Sequence, residues 1–86
     1  MIKIWSDEMW EGYLKWQGED KKTLNKINQL VKDIERNGAN KGIGKPERLK
    51  HKKAWSRHID DKNRPVYDVI DGKLALYSCR GHYEDK

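Results

Sequence analysis

The chain of 86 residues has one cysteine, two prolines and no phenylalanine. Because Cys79 is the single cysteine, no disulfide can form within the chain and no cysteine-based metal site is available. The histidines, at positions 51, 58 and 82, are too scattered for a recognisable zinc pattern. No paired acidic cluster suggests a Mg²⁺ site. We therefore expect neither a metal ion nor a cofactor.

Long hydrophobic runs are also missing. The longest uninterrupted apolar run covers residues 74–77, far less than a signal peptide or a membrane span requires. We expect a cytoplasmic protein without membrane contact, made of one domain over residues 1–86. In the absence of phenylalanine, the four tryptophans and four tyrosines are expected to supply much of the core.

The positive charge is concentrated in one part of the chain. Residues 1–40 carry seven basic and seven acidic side chains, and residues 65–86 carry three basic and four acidic ones. Residues 41–64 carry nine basic side chains against three acidic ones, so this basic segment has a net charge of +6. Clustered cations gain affinity for a polyanion by releasing its counterions. The segment therefore favours a phosphate-binding surface over an ordinary solvated face.

Hydrophobic periodicity predicts two helices and five strands. Ser6 and Asp20 are candidate N-caps, and Asn37-Gly38 is a helix stop. Asp71-Gly72 is a two-residue hairpin signal. The predicted elements are a strand at Ile2–Trp5, a helix after Ser6 that breaks at 17–19, a helix over 20–37, and strands at 47–51, 55–60, 66–70 and 73–80. This β-α-α-β-β-β-β order predicts an α+β domain whose helical hairpin covers one face of an antiparallel sheet.

The other sheet face is then open for a site. Polar residues that interrupt the predicted strands are expected there, namely Glu47, Lys50, Arg57, His58, Arg64, Arg80 and His82. RNA cleavage by its own 2′-hydroxyl needs a base, an acid and cations for the charge that grows on phosphorus. A carboxylate, an imidazole and several arginines or lysines can supply these without metal. A non-catalytic RNA-binding protein would fit the same composition.

Several short motifs occur in the order and spacing of a known family. They are Ile4-Trp5-Ser6 with Tyr13-Leu14, Lys26-Ile27-Asn28 with Leu30, Gly44-Lys45-Pro46-Glu47, Leu49-Lys50-His51, Trp55-Ser56-Arg57, Arg64 with Val66-Tyr67, and Cys79-Arg80 with His82-Tyr83. Together they resemble the YoeB toxins of the RelE/ParE superfamily, collinearly over nearly the whole chain. The resemblance implies the RelE-like (microbial ribonuclease-like) fold and a toxin that cuts mRNA in the ribosomal A site. It also implies neutralisation by a YefM-like antitoxin, and makes a homodimer plausible.

The resemblance also assigns roles to residues. Glu47 matches the general base of the family, His82 the general acid, Arg64 the arginine that stabilises the transition state, and Tyr83 the aromatic residue that orients the substrate. Supporting RNA contacts are expected from Lys45, Lys50, Lys52, Lys53, Arg57, His58 and Arg80.

The chain departs from the family at three places. His58 replaces a second arginine after Arg57, the loop before Trp55 is shortened to Lys52-Lys53-Ala54, and Glu84-Asp85-Lys86 extends the usual end. The replacement at His58 keeps open a binding protein on the same fold that has lost cleavage. A DNA-binding repressor is less well supported, because no predicted helix carries the basic segment.

Overall fold

A computed structural model describes residues 1–81 of the chain. Its elements are β1 (Ile2–Trp5), α1 (Asp7–Glu19), α2 (Lys21–Asn37), β2 (Glu47–Arg48), β3 (Trp55–Ser56), β4 (Val66–Ile70) and β5 (Lys73–Ser78). The strands form one sheet in the order β1-β5-β4-β3-β2. The predicted α+β class and order of elements are confirmed. The pairs β2–β3, β3–β4 and β4–β5 are antiparallel, whereas β1 lies parallel to β5, so the sheet is mixed.

Ser6 and Asp20 cap the two helices, and Asp20 also links them. The Ser6 hydroxyl accepts a hydrogen bond from the Met9 amide, and the Asp20 carboxylate accepts from the amides of Lys22 and Thr23. The predicted break at residues 17–19 is wrong, because α1 continues through Gly18 to Glu19. Asp20 alone, in an extended conformation, turns the chain into α2. The link is therefore one residue long instead of the three expected.

The core lies between the helices and one face of the sheet. From α2 come the fully buried Ile27 and Ile34, and from the sheet come Tyr67, Leu74 and Leu76. Leu74 and Leu76 lie on the covered face of β5, and Ala75 between them is also buried. The predicted apolar face of α2 is confirmed. We call the sheet face that packs on α1 and α2 the helix face, and the other the open face.

Strands β2 and β3 are shorter than expected. They contain two residues each, where the sequence predicts strands at 47–51 and 55–60. The Leu49 amide donates to the Ala54 carbonyl, which closes the connection between them early. After β3 the His58 amide donates to the Gly44 carbonyl, and this bond takes the chain away from the sheet. β5 also ends early, at Ser78 instead of residue 80.

The hairpin between β4 and β5 forms where the sequence predicts it. Asp71 and Gly72 have positive φ angles of 50° and 73°, as a two-residue type I′ turn requires. The register shifts near the other end of the pair, since Tyr67 is opposite Leu76 and Val66 is opposite Ser78. Tyr77 is the extra residue of this bulge, and its carbonyl accepts a hydrogen bond from the Ser6 hydroxyl.

Candidate active site

The register of the sheet places Glu47 on the open face. Glu47 is opposite Ser56, Ser56 is opposite Val66, and Val66 is opposite Ser78, so the four residues form one row across the sheet. The neighbouring residue Tyr67 is fully buried in the helix-face core. Because successive side chains of a strand point to opposite faces, Val66 and the rest of its row belong to the open face.

Glu47 and Arg64 form an ion pair at the edge of this face. Arg64 Nη1 donates to Glu47 Oε2 at 3.1 Å, and the side chains are 23% and 64% exposed, respectively. An ion pair that faces water adds at most about 1 kcal/mol to stability. Separation of the two groups by a bound substrate would therefore cost the protein little stability. Arg64 Nε is buried and has no hydrogen-bond partner within residues 1–81.

The chain approaches this pair again at its C-terminal end. The Arg64 amide donates to the Gly81 carbonyl at 3.2 Å, and the Gly81 amide donates to Asn63 Oδ1 at 2.8 Å. Gly81, with a φ of 83°, is thus bound on both sides by the segment that carries Arg64. The predicted site residues His82 and Tyr83 follow it directly and lie outside the described residues.

Arg57 has a different role from the one expected. Its side chain is fully buried, and each of its five N–H donors has an acceptor. The acceptors are the Tyr67 hydroxyl, the Asp33 carboxylate and the carbonyls of Gly38, Lys41 and Ile43. No donor remains for an RNA phosphate. We therefore correct the predicted role of Arg57 from an RNA contact to an anchor for the loop that precedes Glu47.

Arg80 also lies away from the predicted place. Its guanidinium is 4.3 Å from the ring centre of Trp16 and 3.1 Å from the carboxylate of Glu19, both on α1. β5 ends at Ser78, two residues before Arg80, so Arg80 is not part of the sheet. The structure does not bring Arg80 together with Glu47, and we correct its expected position to the side of α1.

The other predicted cations remain accessible around the basic segment. Lys45, Lys50 and Lys53 are exposed, and Lys45 adopts a φ of 51° two residues before Glu47. His58 is half-exposed, with Nε2 at 3.9 Å from the Asp61 carboxylate. Lys52 lies over the ring of Tyr77, 5.1 Å from its centre. Phosphate binding by these four lysines stays a prediction.

Two residues that the sequence analysis did not identify shape the site. Asp33 lies on α2, 24 positions before its partner Arg57, and no local pattern links the two. Tyr77 could have been found, because it alternates with Leu74 and Leu76 and therefore had to belong to the open face.

Two features limit the chemistry available to residues 1–81. Within residues 1–81, no group of three or more His, Cys, Asp or Glu side chains could hold a metal ion. Cys79 is buried, and its burial raises the pKa of the thiol to about 11. The thiol is therefore protonated near neutral pH and is a poor nucleophile.

Comparison with known proteins shows the same fold. The YoeB–YefM toxin–antitoxin heterotetramer of Staphylococcus aureus contains a chain that superimposes with a TM-score of 0.89 at 44% identity, covering 96% of this chain and 98% of that one. A YoeB/ParE toxin from Agrobacterium tumefaciens superimposes with a TM-score of 0.90 at 38% identity, covering 96% of this chain and all of that one. The fold and its open polar face therefore define a toxin of the YoeB/ParE type.

The sequence comparison is more specific. Residues 5–83 match the family described as "YoeB-like toxin of bacterial type II toxin-antitoxin system". Toxin YoeB of Escherichia coli K12 is 49% identical over 85 residues, which cover 96% of this chain and 100% of the relative. The chain belongs to the YoeB family of type II toxin–antitoxin toxins. Within residues 1–81, no helix is long and apolar enough to cross a membrane.

The first prediction concerns the anchor. We expect Asp33→Asn and Arg57→Lys each to lower the free energy of unfolding by about 3 kcal/mol, because each leaves a buried charge or donor without its partner. Arg36→Lys, at an exposed position of the same helix, should change it by less than about 0.5 kcal/mol. Urea unfolding at pH 7 measures all three. Equal, small changes in the three variants would contradict the anchoring role.

The pH dependence of the same contact has a definite sign. The hydrogen bond from Arg57 holds the pKa of the Asp33 carboxyl below its ordinary value. A lowered pKa adds stability that is fully present above the pKa of the unfolded chain and is lost as the pH falls through the lowered value. The difference in free energy of unfolding between wild type and Asp33→Asn should therefore shrink as the pH falls below about 4. A difference in stability that stays constant down to pH 2 would argue against a lowered pKa at Asp33.

Proposed function

We propose that this toxin is a ribosome-dependent endoribonuclease that cuts mRNA in the A site without a metal ion. The observation that supports the proposal most is the ion pair of Glu47 and Arg64 on the open face, 3.1 Å apart and within the basic segment. In such a pair the carboxylate can accept a proton, and the guanidinium a short distance away can stabilise negative charge. Membership of the YoeB family is consistent with this chemistry.

The proposed reaction assigns one transfer to each group. Glu47 accepts the proton of the ribose 2′-hydroxyl, and the 2′-oxygen attacks the adjacent phosphorus. The bond from phosphorus to the 5′-oxygen breaks, and His82 donates a proton to that leaving oxygen. The products are a 2′,3′-cyclic phosphate and a 5′-hydroxyl. Arg64 stabilises the charge on the phosphoryl oxygens, and Tyr83 orients the substrate.

The surrounding cations bind the RNA in this proposal. Lys45 and Lys50 flank Glu47 in sequence, and Lys53 is exposed in the following loop. His58 is placed to add a further contact, since it follows the anchor residue Arg57 and is half-exposed. Charges of this kind contribute affinity that falls with salt concentration and little to the chemical step.

The second prediction separates catalysis from binding. Glu47→Gln and His82→Gln should each lower the single-turnover rate of mRNA cutting on ribosomes by about 10²–10⁴-fold, because each removes a proton transfer. Arg64→Ala should lower it by about 10²–10³-fold. Ribosome affinity should change little in all three. Glu11→Gln, an exposed carboxylate on α1, is the matched control and should cut at the wild-type rate.

The product ends test the same scheme. Wild-type cutting should give a 2′,3′-cyclic or 3′-phosphate end, also when metal is chelated to the extent that intact ribosomes allow. A 3′-hydroxyl end would rule out attack by the 2′-hydroxyl. Wild-type speed from His82→Gln would mean that another group is the acid. Messages that stay uncut while translation stops would favour the alternative, a non-catalytic ribosome-binding protein on this fold.

We also propose that a YefM-like antitoxin neutralises this toxin and that the free toxin forms a homodimer. The relatives from Staphylococcus aureus include a YoeB–YefM heterotetramer and a YoeB dimer. The net charge of +6 over residues 41–64 suits an acidic antitoxin segment.

The third prediction tests the antitoxin contact. Association with the antitoxin should slow as salt rises, and reversing Lys50 and Lys53 to Glu should slow it further, because both lysines attract an acidic segment. Stopped-flow mixing measures the rate. The reversal Lys21→Glu, on the distant start of α2, serves as the control. Equal rates for both variants at low salt would contradict the proposed docking region.

A further inference from the structure

A cleft lies on the open face of the sheet, between the start of α1 and the end of β5. It has a volume of about 260 Å³, and it is lined by Ser6, Glu8, Lys52, Val66, Tyr77 and Ser78. Pockets for drug-sized ligands usually measure about 300–1,000 Å³, so this cleft is of a size for a smaller planar group. Ser6 and Val66 belong to the family motifs quoted above and Lys52 is an expected phosphate contact, but none of the roles assigned above is the binding of a base.

The walls of the cleft combine an aromatic ring with opposite charges. Val66 and the ring of Tyr77 supply apolar surface, and the Lys52 ammonium lies 5.1 Å from the centre of that ring. Glu8 is exposed in the first turn of α1. The Ser6 hydroxyl already accepts from Met9 and donates to the Tyr77 carbonyl. Among residues 1–81, Glu8 and Lys52 are the charged groups that line the cleft.

The cleft is close enough to Glu47 to hold part of the same RNA. Val66 and Ser78 stand in the row that begins with Glu47, two and three strands away from it. Neighbouring strands are about 4.8 Å apart, which puts the cleft about 10–14 Å from the Glu47 position. A short stretch of single-stranded RNA crosses this distance with its bases turned towards the protein.

We propose that this cleft binds a guanine base of the RNA strand, near the bond that is cut; the inference rests on the proposed nuclease function. The Glu8 carboxylate only accepts hydrogen bonds and has two oxygens. Guanine presents two adjacent donors, N1–H and the N2 amino group, which match them. Adenine and cytosine place an acceptor beside their amino group, and uracil places its N–H between two carbonyls, so each would oppose the carboxylate.

The other two side chains complete the match. Tyr77 offers the ring on which a base stacks, a contact worth about 1–3 kcal/mol per base in single-strand binding proteins. When a base stacks on Tyr77, the Lys52 ammonium moves off the ring and binds a phosphate of the same strand. The cleft thereby selects one base, whereas the exposed lysines near Glu47 bind phosphates of any sequence.

The test begins with the full-length toxin and mononucleotides, so that it does not depend on cleavage. GMP, IMP, AMP, CMP and UMP are titrated separately while amide NMR shifts are followed. GMP should shift residues 8, 77 and 78 and bind about tenfold or more tightly than IMP, which lacks the N2 donor. Glu8→Gln should remove the preference for GMP, and the control Glu11→Gln should retain it. Equal binding of all five nucleotides would overturn the proposal.

A second arm asks whether the guanine belongs to the message. Ribosome-bound messages with each base in turn at the positions flanking the cut should be cut fastest with guanine at one of them, and Glu8→Gln should reduce that preference about tenfold. GMP binding without any dependence on the message base would mean that the cleft takes a free nucleotide only, and would overturn the proposal. Selective GMP binding by a toxin that cuts no message would support the cleft and contradict the nuclease function.

Discussion

Arg57 connects three parts of the molecule that are distant in sequence. Its guanidinium donates to Asp33 on α2, to Tyr67 on β4 and to three carbonyls of the loop over residues 38–43. The loop fits this anchor closely: a Cβ atom at Gly42, where φ is 120°, would lie 1.8 Å from the Asp33 carboxylate. Only three residues separate this loop from Glu47, so the place of the candidate base depends on a buried ion pair that touches no substrate.

The anchor explains how a small core supports an irregular edge of the sheet. β2 and β3 contribute two residues each, too few to hold their end of the sheet by pairing alone. A buried charge is tolerated only when it is fully paired and hydrogen-bonded, and Arg57 meets this condition with all five donors. The exposed pair of Glu47 and Arg64 contributes little to stability by contrast, which leaves both groups available for chemistry.

The sequence predicted the elements whose signals are local. The caps at Ser6 and Asp20 and the turn at Asp71-Gly72 are examples, because each depends on residues a few positions apart. The parallel pairing of β1 with β5 and the partnership of Asp33 with Arg57 were not predictable in this way, since both join distant segments without a periodic pattern. The sequence predicts a surface role for Arg57 because a buried arginine and an exposed one look alike in sequence. The roles of Glu47 and Arg64 stay predictions.

The central claim is that Glu47 and Arg64 act as one catalytic unit on RNA. A double-mutant cycle tests it, with single-turnover cutting of ribosome-bound mRNA by wild type, Glu47→Gln, Arg64→Ala and the double variant. The effects of removing two groups that act on one transition state are not additive in free energy. The double variant should therefore be hardly slower than the slower single variant. Losses that multiply in the double variant, or wild-type cutting by either single variant, would contradict the account.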